Sequence, residues 1–290
     1  MKLVEYPSDW RSVIWILFTL ALMAFPFFQP VPGTLLVPFY LLLFYFGINA
    51  NLINHNHIHV PTFRVALLNR VFDYMLSITR GASCTFIKFI HNNHHHFEGK
   101  QGDWFDVANE GEGPRVFRPL VYIYRTTRKF KRKVKSVLPD ISPELKRKYY
   151  LERVVVNAFL LVCLVLNWKA TLLYVLPCWI VGNGFVVLTN LLHHRECDVE
   201  SKENVARDYL SPIENWLFFN GGYHSMHHLK PGTHWSLLPT QHRVFINSKH
   251  DPTLESGSMF AYLIQNYCLP WPRRSKTTSS RKGSRPPMTD

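Results

Sequence analysis

The 290-residue sequence lacks the motifs of several familiar cofactor and binding classes. Its five cysteines include no Cys-x-x-Cys pair, which argues against a zinc ribbon, a cysteine-bound iron–sulfur cluster and a disulfide framework. There is no Gly-x-Gly-x-x-Gly for a flavin or nicotinamide, and no His-Pro-Gly-Gly of a fused haem domain. Zinc-finger and RNA-binding motifs are missing as well, so we expect no nucleic-acid partner. The chain has no recognisable means of carrying its own electrons.

Acidic residues are also scarce, since 20 Asp and Glu stand against 33 Lys and Arg, for a formal charge of +13 and a pI near 9.6. Hydrophobic residues make up 47% of the chain, yet the mean hydropathy is -0.06. An apolar part must therefore be balanced by a large polar part that faces water. We expect one domain over residues 1–271, followed by a basic, disordered tail over 272–290.

Charge is absent from two long stretches near the N-terminus, 13–28 and 34–54, which a Gln-Pro-Val-Pro-Gly turn separates. No small-residue cleavage site follows the first stretch, so it is expected to be a retained membrane segment rather than a signal peptide. A second apolar block from Val154 to Leu192 is interrupted only at 167–169. We therefore predict an all-α membrane protein with about four transmembrane helices, at 13–28, 34–54, 154–167 and 171–192.

The distribution of positive charge predicts the orientation of these spans. The first hairpin has no Lys or Arg, whereas residues 61–152 contain 17, many of them between Arg125 and Lys135. By the positive-inside rule this segment and both termini are cytoplasmic. We expect a cytoplasmic helical cap formed by 55–152 and 193–271. The basic run could dock an acidic acyl carrier or redox partner, but topology and attraction to anionic lipid explain it more simply.

Fifteen histidines are many for this length, and most of them are clustered. Two lie four residues apart in HNHIH, and HNNHHH and HSMHH each place three at i, i+3 and i+4. One more follows Asn190 by four residues at the end of the fourth predicted span. These spacings put each group on one helix face, and the predicted topology puts all groups on one side of the membrane. The residues concerned are His55, His59, His91, His94, His95, His194, His224, His227 and His228.

Histidines grouped in this way indicate a metal site. A lone helical histidine is usually an ordinary hydrogen-bonded residue, but eight or nine imidazoles within reach of one another would leave several without partners. Imidazole suits zinc, copper, iron and nickel, and this many ligands indicate two ions. The sequence has no His-Glu-x-x-His, and no glutamate three residues before a histidine, so zinc proteases and carboxylate-bridged di-iron bundles are excluded.

These elements resemble those of the membrane fatty acid desaturase and hydroxylase superfamily. The matching motifs are three histidine boxes and an extra histidine ahead of the last box, in the same order relative to the spans. They are His55-x-x-x-His59, His91-x-x-His94-His95, His224-x-x-His227-His228 and His194. The resemblance covers about residues 10–245, and the combination of three boxes is highly specific.

The resemblance implies a four-helix membrane base under a cytoplasmic cap that holds two iron ions through the nine histidines. It implies that dioxygen is used to insert a double bond or a hydroxyl group into a fatty-acyl chain. Two electrons would come from an external donor, such as a ferredoxin or a cytochrome b5 with its reductase. The acyl chain would be bound to CoA, a carrier protein or a lipid. The leading hypothesis is a desaturase acting at the lipid bilayer.

Two alternatives accompany this hypothesis. The nearer one is a di-iron hydroxylase of an alkyl, acyl or isoprenoid substrate, which would use the same boxes. The other belongs to a different class, a histidine-rich metal-binding membrane protein without redox chemistry. Transporters place polar ligands near mid-membrane, whereas these histidines follow the ends of the spans.

Several other residues are candidates for roles near the site. The resemblance implies that Asn190 holds an iron-bound water. His57 and His96 lie off the shared helix faces and are expected to be neighbours of the ligands or surface residues. His193 competes with His194 as a ligand, and the spacing to Asn190 favours His194. His234 could support a ligand, bind a substrate head or simply pack beside Trp235. We expect His242 and His250 at the surface.

Gly102, Asp103 and Trp104 closely follow the second box and could cap a substrate tunnel or orient a ligand histidine. Aromatic residues could line that tunnel, although anchoring at the membrane interface explains them equally well: Trp104, Phe105, Trp216, Phe218 and Phe219.

Overall fold

The computed structural model of the chain describes residues 2–246 and 250–269 and is mostly helical. The predicted tail at 272–290 lies outside the described residues. Within the described ranges the α-helices are α1 Asp9–Phe28, α2 Leu36–His59, α3 Ala66–Arg80, α4 Cys84–Phe97, α5 Arg118–Val137, α6 Pro143–Ala170, α7 Leu176–His194, α8 Pro212–Leu217, α9 His224–Leu229, α10 Leu238–Phe245 and α11 Met259–Leu263. Two π-helical turns, Thr171–Val175 and Ile264–Cys268, continue α6 and α11.

A small parallel sheet joins two distant parts of the chain. Its strands are β1, Asp208–Tyr209, and β2, Glu255–Ser256. The all-α prediction misses this sheet, because strands of two residues give no periodic signal in a sequence.

Three helical segments of the described chain are long and apolar enough to cross a membrane: Asp9–Phe28, Gly33–His59 and Pro143–His194. Their outer surfaces are apolar, and Phe28, Val165 and Ile180 are 79%, 78% and 71% exposed. Apolar side chains facing outward on helices of this length fit contact with lipid. These helices indicate a membrane protein.

The third of these segments is a helical hairpin. It has 52 residues, and as a straight helix it would be about 78 Å long against a hydrocarbon core of about 30 Å. The backbone leaves the helical conformation at Asn167, where φ is -161° and ψ is 93°. Both ends of the segment contact α4, through Glu152 and through His194. The break lies at the interruption of the apolar block that the sequence shows at 167–169.

Glycines allow α2 and α7 to approach each other closely. A Cβ atom at Gly47 would lie 2.6 Å from the Cys178 sulfur, and one at Gly182 would lie 2.7 Å from the carbonyl oxygen of Gly47. Larger side chains at either position would push the helices apart. The close approach brings the histidine-bearing ends of α2 and α7 to the same level of the bundle.

A buried carboxylate attaches α4 to the rest of the bundle. Glu152 of α6 is fully buried and accepts hydrogen bonds from the Arg70 guanidinium at 2.6 Å and the Ser83 hydroxyl at 2.6 Å. It also accepts from the backbone N–H and the hydroxyl of Thr85, at 2.8 Å and 2.7 Å. Ser83 caps α4, so these bonds fix the start of the helix that carries the second histidine box.

A second buried carboxylate holds the start of α9. Asp208 of β1 accepts a hydrogen bond from the backbone N–H of Ser225 at 2.8 Å and another from the Ser225 hydroxyl. The Nε2 of His242 lies 2.8 Å from the same carboxylate, and His250 Nδ1 lies 3.8 Å away. His242 and His250 are 3% and 5% exposed, so the prediction that they are surface residues is wrong. The chain after the last histidine box folds back over β1, which no local pattern indicates.

We expect Glu152→Ala to lower the melting temperature of the detergent-solubilised protein strongly. It leaves the partly buried Arg70 without its closest partner and removes the acceptor at the start of α4, and breaking a buried ion pair costs about 3–5 kcal/mol. Glu144→Ala is the matched control, because it removes only an exposed pair with Lys148 on the same helix. Equal melting temperatures for the two variants would contradict the role of Glu152 as an anchor.

Candidate metal centre

Nine histidines from four helices meet at one end of the helix bundle. Helices α2 and α4 place theirs at i, i+4 and at i, i+3, i+4, so that each group faces one direction. Helix α7 contributes its last residue, and α9 repeats the spacing of α4. The structure thereby brings together all nine residues that the sequence pattern singled out: His55, His59, His91, His94, His95, His194, His224, His227 and His228.

The first cluster contains five of these rings. The candidate ligand nitrogens of His55, His59, His91 and His227 lie within 4.8 Å of one another. His95 also lies near Glu98 and His228, but its shortest nitrogen contacts are with the first cluster. Its Nε2 is 2.8 Å from that of His91 and 2.9 Å from that of His227, and the latter two are 3.3 Å apart.

The second cluster contains the other four rings, His94, His194, His224 and His228. The Nε2 atom of His194 lies 3.0 Å from that of His94 and 3.1 Å from that of His224. The Nε2 atoms of His224 and His228 are 3.2 Å apart. The two clusters adjoin, because the ring centroids of His95 and His228 are 4.5 Å apart.

These distances fit metal ligation better than hydrogen bonding. A neutral imidazole nitrogen either donates or accepts, so the mutually close nitrogens of His91, His95 and His227 cannot all satisfy one another. Nitrogens about 2.1 Å from one ion would lie roughly 3.0 to 3.4 Å apart, close to the observed spacing. In addition, the Nε2 of His59 is buried without a hydrogen-bond partner. Each cluster therefore fits one metal ion.

The protonation state of the rings also suits a metal. Burial, followed by the charge of neighbouring imidazoles, lowers the pKa of His91, His227 and His228 well below the ordinary histidine value. These rings are therefore neutral at physiological pH, and a neutral imidazole nitrogen is the form that binds metal.

Outer contacts fix the orientation of several rings. His94 Nδ1 donates to the buried carboxylate of Asp103 at 2.7 Å, and His194 Nδ1 donates to the carbonyl of Val205 at 2.9 Å. The Nδ1 of His228 lies 3.5 Å from a carboxylate oxygen of Glu98. Each contact leaves Nε2 to face the cluster, the arrangement typical of metal-binding histidines. The role suggested for Asp103 agrees with its position, whereas the contacts of Glu98 and Val205 have no signal in the sequence.

Residues 29–250, most of the chain, match the family model described as fatty acid desaturase. The chain belongs to the fatty acid desaturase family. The resemblance that the three histidine boxes indicate is thereby confirmed. No curated protein matches the sequence.

Two polar residues of this desaturase-family protein adjoin the second cluster. The Asn190 carboxamide, one turn before His194, lies 3.1 Å from His94 Nε2 and 2.8 Å from the Tyr122 hydroxyl on its other side. His193 Nδ1 donates to the carbonyl of Arg207 at 2.7 Å, and its ring stacks on His224 with centroids 4.2 Å apart. His193 therefore supports a cluster ring from behind, while Asn190 faces the cluster directly.

The three other histidines considered as neighbours make their contacts elsewhere in the desaturase fold. His57 faces Asp73 at 3.4 Å and joins α2 to α3. His96 is exposed on α4. His234 Nε2 lies 3.0 Å from the buried Asp9 carboxylate at the start of α1. The spacing leaves these three residues outside the nine-histidine set, but it does not predict which neighbour each ring contacts.

A narrow cavity of about 90 Å³ adjoins both clusters of this desaturase-family site. One water needs roughly 10–15 Å³, so the space is larger than a single hydration site. His55, His227, His224 and Asn190 form part of its wall, and most of the remaining lining is apolar. Among the aromatic tunnel candidates, Phe105, Phe218 and Phe219 line the cavity. Trp104 is buried against other groups, and Trp216 is exposed beside Arg11.

Replacing Asp103 with alanine should weaken the retention of one of two bound metal ions. The substitution frees the His94 ring to rotate, and loss of such a partner costs about 10- to 100-fold in metal affinity. Metal content measured after dialysis against graded chelator concentrations checks this. Asp106→Ala is the matched control, because that carboxylate caps a neighbouring turn through Ala108. Unchanged affinity in the Asp103 variant would contradict its role.

Proposed function

We propose that this protein is a membrane di-iron oxidoreductase that uses dioxygen and two externally supplied electrons to insert a double bond into a fatty-acyl chain. The observation that carries the proposal is the pair of adjacent nitrogen clusters beside a narrow, mostly apolar cavity. Membership of the fatty acid desaturase family supports the same type of reaction.

Iron is the metal that we assign to both clusters. Imidazole also binds zinc, copper and nickel, but removing hydrogen from an unactivated methylene requires a redox-active metal, and zinc has no redox chemistry. Two iron ions together with dioxygen supply an oxidising power that no side chain has. The first ion would be held by His55, His59, His91, His95 and His227, and the second by His94, His194, His224 and His228.

The protein contributes ligand geometry that is set before the metal binds. The anchors at Glu152, Asp103 and Asp208 hold the helices or rings that carry two of the histidine groups, those of α4 and α9. Rings fixed in this way need little reorganisation when the ions bind or when the oxidation state changes. Asn190 adjoins the second ion and is the nearest candidate to hold a bound water there.

The cavity is the site that we assign to the acyl chain. Phe185, Phe218 and Met259 form part of its apolar wall, which would accept methylene groups and exclude water. A chain confined there would hold one carbon beside the clusters, so that the position of attack follows from the fit of the chain. The lining contains no Lys or Arg, so a phosphate-bearing head would stay outside while the chain enters.

The electrons would come from a separate protein, such as a ferredoxin or a cytochrome b5 with its reductase. The sequence has no flavin, nicotinamide, haem or iron–sulfur motif of its own. The acyl chain would arrive attached to CoA, a carrier protein or a membrane lipid.

We also propose four membrane passes, with both termini and the metal centre on the cytoplasmic side. The hairpin at Asn167 supports two passes within the 52-residue helical segment. The 17 Lys and Arg between residues 61 and 152 support the orientation through the positive-inside rule.

Production of the protein in a host with abundant saturated lipids should yield new acyl chains lighter by two hydrogen atoms. His227→Ala should abolish them, because it removes a nitrogen from the first cluster, while the protein stays in the membrane fraction. Mass spectrometry of total lipids checks this, with immunoblotting for the amount of protein. His96→Ala, an exposed histidine on α4, is the matched control and should keep full activity.

Other outcomes of the same experiment separate the alternatives. A gain of one oxygen atom per chain would indicate hydroxylation instead. Full activity of His227→Ala would show that the ligand assignment is wrong. Unchanged lipids, together with purified protein that contains zinc and no iron, would favour a metal-binding protein without redox chemistry.

A further inference from the structure

A buried tyrosine of α5 contacts a carboxamide that faces the second cluster. Tyr122 is fully buried, and its hydroxyl oxygen lies 2.6 Å from the carbonyl oxygen of Phe105 and 2.8 Å from the side-chain oxygen of Asn190. On the opposite side, the Asn190 side-chain nitrogen lies 3.1 Å from His94 Nε2. Tyr122, Asn190 and His94 thus form a line from the helix interface to the cluster.

The number of available hydrogens determines which hydrogen bonds Tyr122, Phe105 and Asn190 can form with one another. A tyrosine hydroxyl has one hydrogen, so it can donate to only one of the two oxygens beside it. The Phe105 carbonyl can only accept, whereas the Asn190 carboxamide can turn over and present its NH2 group. With the amide turned, Tyr122 donates to Phe105, Asn190 donates to the tyrosine oxygen, and both acceptors on the Tyr122 side receive a hydrogen. The turned amide directs its oxygen at the cluster.

A metal ion bound by His94 would favour the same orientation of the Asn190 carboxamide, for an independent reason. When His94 Nε2 binds an ion, its lone pair is occupied, so an N–H pointing at that nitrogen has no acceptor. The partial positive charge of an NH2 group would also face a cation. A carboxamide oxygen in that place can instead bind the ion, or accept a hydrogen bond from a water bound to it.

Tyr122 can hold this arrangement because its side chain is fully buried and fixed in place. Its ring is enclosed by neighbouring apolar side chains of α7 and the loop before α5, so the hydroxyl cannot swing away to water. The hydroxyl is therefore a fixed donor to Phe105 and a fixed acceptor for Asn190.

We propose that Tyr122 is a positioning residue that locks the Asn190 carboxamide with its oxygen toward the second metal ion. The second cluster would thereby gain an oxygen donor, directly or through a water, beside its four imidazoles. This inference rests on the proposed di-metal function and adds to it a residue that belongs to none of the histidine boxes.

The test compares Tyr122→Phe with Tyr124→Phe, an exposed tyrosine two residues along the same helix. Purified proteins are loaded with Fe(II) or Co(II), and retention of each ion is followed during titration with a chelator. Removing the Tyr122 hydroxyl should weaken the binding of one ion about tenfold, the low end of the range for loss of such a partner. Binding of the other ion should stay as in the wild type. Tyr124→Phe should retain both ions normally, and Co(II) absorption should change only in the Tyr122 variant.

A rescue variant distinguishes orientation from simple packing. In Tyr122→Phe/Asn190→Asp the carboxylate presents an oxygen to the cluster whichever way it turns, so the retention of both ions should return. If Tyr122→Phe lowers only the melting temperature, or if Asn190→Asp fails to restore retention, the proposal is wrong. Wild-type protein that binds fewer than two ions would overturn the di-metal function itself, an outcome that is read separately.

Discussion

The structure depends on the contact of nine buried or half-buried imidazole rings, several of whose nitrogens lie roughly 3 Å apart. Protons alone cannot satisfy this arrangement, because each neutral ring has one donor and one acceptor and several nitrogens face more than one other nitrogen. Protonating the rings would place like charges side by side in a buried space. A cation in each cluster removes both difficulties. The other buried polar contacts of the molecule keep these rings in position.

The contacts that anchor the histidines lie outside the clusters, and each of them is made by a buried carboxylate. Glu152 fixes the start of α4, Asp208 fixes the start of α9, and Asp103 fixes the ring of His94. In each case a fully or almost fully buried carboxylate accepts hydrogen bonds from the backbone or from a ring that leads to the cluster. The histidines are therefore attached to the rigid helices of the bundle, and some of the same rings line the cavity that we propose for the acyl chain. Chemistry at a defined carbon needs this rigidity, since a shift of about 1 Å moves another part of the chain to the metals.

Much of the fold and most of the candidate site could be predicted from the sequence, for identifiable reasons. Apolar runs predict spans, and the i, i+3, i+4 spacing of histidines predicts which rings share a face. Contacts made by backbone groups or by loops that fold back give no such pattern. The bond from His194 to the Val205 carbonyl, the burial of His242 and His250, and the Tyr122–Asn190 contact all depend on tertiary structure alone. For Trp216 the sequence left a tunnel role and anchoring at the membrane interface equally open, and the side chain is exposed beside Arg11.

The central claim is that two iron ions occupy the two histidine clusters. The most direct measurement is the metal content of protein purified from membranes without added chelator, combined with Mössbauer spectroscopy of iron-57-labelled samples. The account requires two irons per chain in nitrogen-rich sites. One ion per chain, or zinc in place of iron in active protein, would contradict it.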